Sequence, residues 1–272
     1  MTVLTTLKLL DGTEFELAMP PAGADPSYFL IGLPKAGSTL FFGIMETIAR
    51  QSGATWFSIS QEMYRRGVGF DQIEAGVNDV FFETGYAYGG FRGVPKGVEL
   101  PAFARGRTVG LVRDPRDMLS SLYFSEAVSH RPPGDAVSSD LKSRFEERRQ
   151  FAQNASIDEF AQNRAKQSAA VYRRALRQMD RVEAHIDRYE DVIFRKEEWI
   201  RGTCAYLNLN VDWTEAKSVI DRHDVRIDAE TPQNHIRRVA PGDHKEKFTP
   251  ETIAVLNEQF SDILERFGYE TS

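Results

Sequence analysis

Residues 28–41 read Tyr28-Phe29-Leu30-Ile31-Gly32-Leu33-Pro34-Lys35-Ala36-Gly37-Ser38-Thr39-Leu40-Phe41, and a change of period inside this stretch decides the fold. Tyr28 to Ile31 is an unbroken apolar run, as found in strands covered on both faces. From Leu40 onward the apolar positions Leu40, Phe41, Ile44, Met45 and Ile48 fall at spacings of one, three and four, which is one face of a helix. The unit is therefore strand, glycine loop, helix.

Working outward, a second unit begins at Thr108-Val109-Gly110-Leu111-Val112 and turns at Arg113-Asp114-Pro115. Asp114 can cap a helix with Pro115 at its first position and Asp117 at its third. Ser156 and Glu159 form a capping box before a long helix whose buried side is read as Ile157, Phe160, Val171, Ala175, Met179 and Val182. The basic run Arg173-Arg174 with Arg177 then falls on its wet face. His185 to Tyr189 reads as a short strand, and a last helix is expected from Thr249-Pro250 to Gly268. Before all of these, LKLL and EFEL flank Asp11-Gly12 as a hairpin, and a breaker-rich joint runs from Pro20 to Pro26. Strands separated by helices predict an α/β fold, with a mostly parallel sheet and ligands at the strand carboxyl ends. The expected organisation is one domain over residues 27–270, with the hairpin, residues 1–20, as an appendage.

The totals bound the function. The chain has 272 residues, 41% hydrophobic and 27% charged, with a net charge of −6, so a disordered chain and a generic nucleic-acid surface are both excluded. Any anion must be met by local cations. No apolar run reaches the ~18 residues of a membrane span, and the amino terminus lacks the basic start and apolar core of a secretory signal. A cytoplasmic location is the expectation. The single cysteine, Cys204, excludes an internal disulfide, and the histidines have no metal-ligand spacing, so no metal is expected.

The loop after the first strand suits a phosphate-like group. Gly32 and Gly37 let the backbone wrap an anion, the helix start supplies amide donors and a positive dipole end, and Ser38 and Thr39 add hydroxyls. It is close to the nucleotide-binding pattern G-x-x-x-x-G-K-[ST], but Ser38 follows Gly37 where that pattern has lysine, and the lysine stands two residues before the glycine, at Lys35. The second strand ends in Arg113 rather than in the carboxylate that organises Mg²⁺ in nucleoside triphosphatases. These departures point to a metal-free donor with anionic groups at two places.

Leu33 to Thr39 resembles the P-K-S-G-T-T loop of sulfotransferases that use 3′-phosphoadenosine 5′-phosphosulfate (PAPS). Arg113-Asp114-Pro115-Arg116-Asp117 with Ser121 is similar to that family's R-[ND]-P-x-D-x-x-x-S motif, and Tyr189-Glu190-Asp191 to its Y-E-D. Arg237 to Lys245 with Phe248-Thr249 resembles R-K-G-x-x-G-D-W-K-x-x-F-T, with Val239 in place of a glycine and His244 in place of the tryptophan. The four matches occur in family order from about residue 28 to 249. The resemblance implies a P-loop-like sulfotransferase fold in which Lys35, Ala36, Gly37, Ser38 and Thr39 hold the 5′-phosphosulfate. By the same resemblance Arg113 and Ser121 hold the 3′-phosphate, Arg237 and Arg238 close over it, and Tyr189 lies near the adenine. Leu40 stands where cytosolic members of that family carry a tryptophan, so by the resemblance that adenine contact is either weaker or supplied elsewhere, with Phe41 as a candidate.

By resemblance the reaction is transfer of a sulfuryl group to an acceptor hydroxyl, leaving adenosine 3′,5′-bisphosphate (PAP). Lys35 would stabilise the charge building on the departing nucleotide, and a base must take the acceptor proton. The K-T-H-L-P segment that carries a histidine base in phenol and steroid sulfotransferases corresponds here to Phe91-Arg92-Gly93-Val94-Pro95, and Gly93 has no basic side chain. Glu62 ranks first for the role, at the distance beyond the loop lysine where glycan-modifying relatives carry a glutamate, followed by His130 and Glu83. A glycan or glycolipid acceptor is favoured over a small phenol or alcohol. Trp56-Phe57, Phe81-Phe82, Tyr86, Tyr88 and Phe91 read as a wall for such an acceptor or as core. A P-loop kinase using ATP and Mg²⁺, and a non-catalytic nucleotide-binding module, stay open beside this reading.

Overall fold

The computed structural model describes residues 3–129, 138–223 and 240–271. In chain order its elements are β1 (Leu4–Leu9), β2 (Glu14–Ala18), β3 (Tyr28–Gly32), α1 (Ser38–Gln51), β4 (Thr55–Phe57), α2 (Ile59–Arg65), β5 (Ile73–Ala75), β6 (Tyr86–Phe91), β7 (Thr108–Val112), α3 (Pro115–Phe124), α4 (Ser139–Asn154), α5 (Ile157–Arg181), β8 (His185–Arg188), α6 (Tyr189–Val192), α7 (Lys196–Leu207), α8 (Trp213–Arg222), α9 (Asp243–Lys247), α10 (Pro250–Gln259) and α11 (Ser261–Phe267).

Five strands form one sheet in the order β4-β6-β3-β7-β8, and every pairing in it is parallel. The central strands β3 and β7 are buried at every residue, which is why each reads as a continuous apolar run rather than an alternation. After β3 the chain moves to β4 at one edge, whereas after β7 it moves to β8 at the other. The sheet order thus reverses between β3 and β7, and the crevice at their carboxyl ends is where open α/β sheets bind ligands. Gly110 in β7 admits α5 closely, since a Cβ there would stand 2.4 Å from Met179 Sδ.

The amino-terminal hairpin pairs as expected, Leu4 to Ala18 through Lys8 to Glu14. It is also joined by β5, giving a second sheet in the order β2-β1-β5. Leu7, Leu17 and Met19 belong to the same buried cluster as β3, β6 and β7, so the hairpin is packed onto the main body. Among the aromatic residues, Phe57, Phe81, Tyr86, Tyr88 and Phe91 are core, while Trp56 and Phe82 are partly covered. Tyr88 Oη donates to Val80 O at 2.9 Å and accepts from Phe82 N at 2.6 Å.

Two helix expectations change. The last helix breaks at Phe260 into α10 and α11 although no Pro or Gly stands there. Arg173 Nη2 takes the carbonyl of Gln259 at 2.9 Å, so a side chain supplies the donor at the end of α10. Long α5 starts at its predicted capping box, Ser156 with Glu159, but its buried face is Phe160, Ala161, Ala165, Ala169, Tyr172, Ala175, Leu176 and Met179. Val171 is only half-buried, and Arg173 and Arg174 are engaged rather than simply solvated. Among the described residues no helix is long and apolar enough to cross a membrane.

Candidate functional site

The loop between β3 and α1 is held as a cradle. Leu33 N donates to Leu111 O of β7 at 2.9 Å, and Ala36 N closes a turn onto Leu33 O at 3.2 Å. Lys35 sits at φ 57°, a conformation that non-glycine residues adopt rarely and keep only where the surroundings enforce it. The enforcing contact is Arg113, whose Nη1 donates to the Lys35 carbonyl at 3.1 Å. Gly37 caps α1 at φ 80° with no side-chain bond to the first amides. The helix thus begins with its dipole end and amide donors unclaimed by any cap. A Cβ on Gly37 would also stand 3.1 Å from the Tyr189 ring, so glycine is required for space as well as for φ.

Arg113 is the hinge of the arrangement. It is 5% exposed, its guanidinium lies 4.6 Å from the centre of the Tyr189 ring, and Nη2 is 3.7 Å from Asp117 Oδ2. Its Nε is buried with no hydrogen-bond partner, and a buried donor of that kind calls for an acceptor. Its own carbonyl accepts from Tyr172 Oη at 3.0 Å. Asp114 caps α3 as predicted, accepting from Arg116 N at 2.9 Å, and also takes a two-pronged contact from the Arg116 guanidinium at 3.0 and 2.7 Å. Glu190 accepts from Asp114 N at 2.9 Å and from Tyr269 Oη at 3.0 Å. Burial raises the Glu190 pKa above the ordinary carboxylate value even though those two donors oppose it.

Asp117 ties α3 to the chain after residue 240. Its carboxylate accepts from Gly242 N at 2.7 Å, from His244 N at 2.9 Å and from His244 Nδ1 at 2.6 Å. Burial works against its ionisation, but His244 and Arg113 outweigh that and hold its pKa at about 2. One helical turn on, Ser120 Oγ donates to Asp243 Oδ2 at 2.5 Å. His244 is 3% exposed and anchors the segment by a hydrogen bond.

Lys35, Ala36, Gly37, Ser38, Thr39, Arg113 and Tyr189 therefore gather at the carboxyl ends of β3 and β7, joined by the bonds and contacts of the loop and of Arg113. Ser121 is half-buried on α3, one turn beyond Asp117. Arg237, Arg238 and His130 lie outside the described residues. Phe41 does not face a ligand, since it is fully buried and stacks on Trp199 at 5.0 Å. Glu62 is half-buried on α2, paired with Arg65, and lines a groove with Trp56 and Arg50. Glu83 is exposed.

Three features escaped the sequence reading. A cleft of about 660 Å³ opens beside the loop, lined among others by Phe42 of α1, Tyr64 and Arg65 of α2, Arg92 to Pro95, and Val171 and Arg174 of α5. Arg92 Nη2 bonds Thr39 Oγ1 at 3.2 Å, which sets this cleft against the loop. Glu126 lies in the π-helical turn Ser125–Ser129 and pairs with Arg164 at 3.1 Å, both largely covered. Burial raises the Glu126 pKa although Arg164, Arg148 and Lys35 all act on it to lower it. No motif marks Glu126, and its only sequence signal is its place just beyond the helix that Arg113 opens.

No family model matches the chain, and no curated protein matches it in sequence. Among solved structures it is similar to a mouse sulfotransferase complexed with PAP, with 15% identity and a TM-score of 0.55, covering 89% of this chain and 86% of that one. Two structures of retinol dehydratase, one with androsterone and inactive cofactor PAP and one with retinol and PAP, align at 13% and 12% identity with TM-scores of 0.45 and 0.47. They cover 88% and 96% of this chain and 80% and 90% of theirs. The fold is that of a sulfotransferase.

Proposed function

We propose that the protein transfers a sulfuryl group from PAPS to an acceptor hydroxyl. The observation that carries this reading is the contact of Arg113 with the Lys35 carbonyl. It couples a cation at the end of β7 to an anion loop at the end of β3, so one ligand with two anionic ends would meet both. The residues suit such a ligand, because α1 begins without a side-chain cap and Arg113 Nε is buried without an acceptor. Ser121, Arg237 and Arg238 complete the nucleotide site in this proposal, with Tyr189 fixing Arg113 from beneath.

In the step itself the acceptor oxygen bonds to sulfur, the bond from sulfur to the phosphate oxygen breaks, and PAP departs. Lys35 and the first amides of α1 offset the charge appearing on the leaving oxygen. The acceptor proton passes to a carboxylate. Glu126 fits that task through its weakened acidity and its position within the field of Lys35, and Glu62 is the second residue for it. A glycan or glycolipid acceptor is favoured because Gly93 replaces the histidine of phenol-type sites.

The test is transfer of label from PAPS to fractionated glycans, lipids and small phenols. Lys35→Ala should lower turnover by about 10²–10³ while PAP still binds. Undiminished transfer by that variant, or a requirement for ATP and Mg²⁺, overturns the reading.

A further inference from the structure

The cleft beside the loop has an unusual charge balance for a chain of net charge −6. Arg65, Arg92 and Arg174 line it, and no carboxylate does among the described residues. Arg65 is answered by Glu62. Arg92 and Arg174 have no carboxylate partner among the described residues. Arg174 Nε donates to Val94 O at 2.8 Å, which fixes the plane of its guanidinium at the mouth of β6. Arg92 is fixed from the other side by Thr39 Oγ1 at 3.2 Å. Two arginines are thus held in place by neutral oxygens, which leaves their charge unneutralised. Between and around them stand Phe42, Tyr64, Pro95 and Val171, surfaces suited to the apolar face of a sugar ring.

Resting on the sulfuryl-transfer reading, we infer that this cleft takes an acceptor that already bears an oxyanion, a sugar carboxylate or phosphate, with Arg174 and Arg92 as its ligands. A neutral acceptor would leave two guanidinium groups facing it without an anion. The reaction would then place a second negative group on a molecule that carries one.

Binding to the full-length protein loaded with PAP tests this by calorimetry, using 4-nitrophenyl β-D-glucoside, the corresponding glucuronide and the glucoside 6-phosphate, which differ only at carbon 6. The expected result is tighter binding of one anionic probe over the neutral one by about 10- to 100-fold, the range of a charge-assisted bond. Which anion wins identifies carboxylate or phosphate as the native group. Arg174→Gln and, independently, Arg92→Gln should bring that ratio towards one, and so should raised salt. Equal binding of all three probes, or a ratio untouched by both variants, overturns the inference while leaving the PAPS reading standing. Failure of PAP itself to bind overturns both.

Discussion

His244 Nδ1 lies 2.6 Å from Asp117 Oδ1. A carboxylate can only accept, so this nitrogen carries the proton. The same carboxylate also holds Gly242 N and His244 N, so the acid at the third position of α3 fixes where the segment after residue 240 begins.

That relationship sets an acid dependence. In the fold the Asp117 pKa is held at about 2 against 3.8 for a free aspartate. The ionised form therefore favours the folded state, and its contribution is whole above about pH 4 and drains away as the pH falls towards 2. Asp117→Asn should lose about 2 kcal/mol at pH 7, with the gap to the parent protein closing near pH 2. Urea unfolding followed at both pH values measures it, and an unchanged gap would contradict the assignment.

Turnover should show the opposite kind of titration. Glu126 has a raised pKa, so it stays protonated to higher pH than an ordinary glutamate and accepts a proton only above that point. The pH profile of kcat should fall on its acid side at a pKa above 4.5. Glu126→Gln should remove that limb and lower kcat by about 10²–10⁴. Glu62→Gln should leave the limb in place; a limb lost in the Glu62 variant instead would return the base role to that residue.

Gly37→Ala meets both a positive φ and the Tyr189 ring at 3.1 Å. The expected outcome is a loss of roughly 1–3 kcal/mol in stability together with weaker PAP binding. Tyr189→Phe keeps the ring under Arg113 and should be mild, whereas Tyr189→Leu should weaken PAP binding further. Thermal unfolding with and without PAP separates the two effects.

Arg113→Lys retains charge but has no fork to reach both the Lys35 carbonyl and a ligand. PAP affinity should fall about 10- to 100-fold. Equal affinity in a competition assay would count against Arg113 as a nucleotide contact.

Much of this was legible in the sequence because it was local. The apolar run at 28–31, the cap at Asp114 and the box at Ser156 and Glu159 are short-range signals, and the structure contains each. What was not legible depended on packing between distant segments. Periodicity put Val171 in the core and Arg174 in solvent, yet α5 turns so that both border the cleft. Nothing near Gln259 announces a helix break, and the side chain that donates to its carbonyl, Arg173, is far away in the chain. Phe41 looked available beside Leu40, but Trp199 covers it. Glu126 has no motif, since its altered acidity arises from burial by distant segments, which outweighs three cations that oppose it.

The small sheet in the order β2-β1-β5 has a consequence for synthesis. As the chain emerges, β1 and β2 can close at once through a short turn, but the outer edge of β1 stays bare until Ile73–Ala75 has been made. For that interval the nascent chain carries an open strand able to recruit a neighbour. The segment that then pairs with its end, at Lys8 and Leu9, lies between α2 and β6, both of which contribute walls to the arginine-lined cleft. The hairpin is thus joined by a stretch that connects two walls of the cleft, while the remaining wall, Val171 and Arg174 of α5, is made about a hundred residues later.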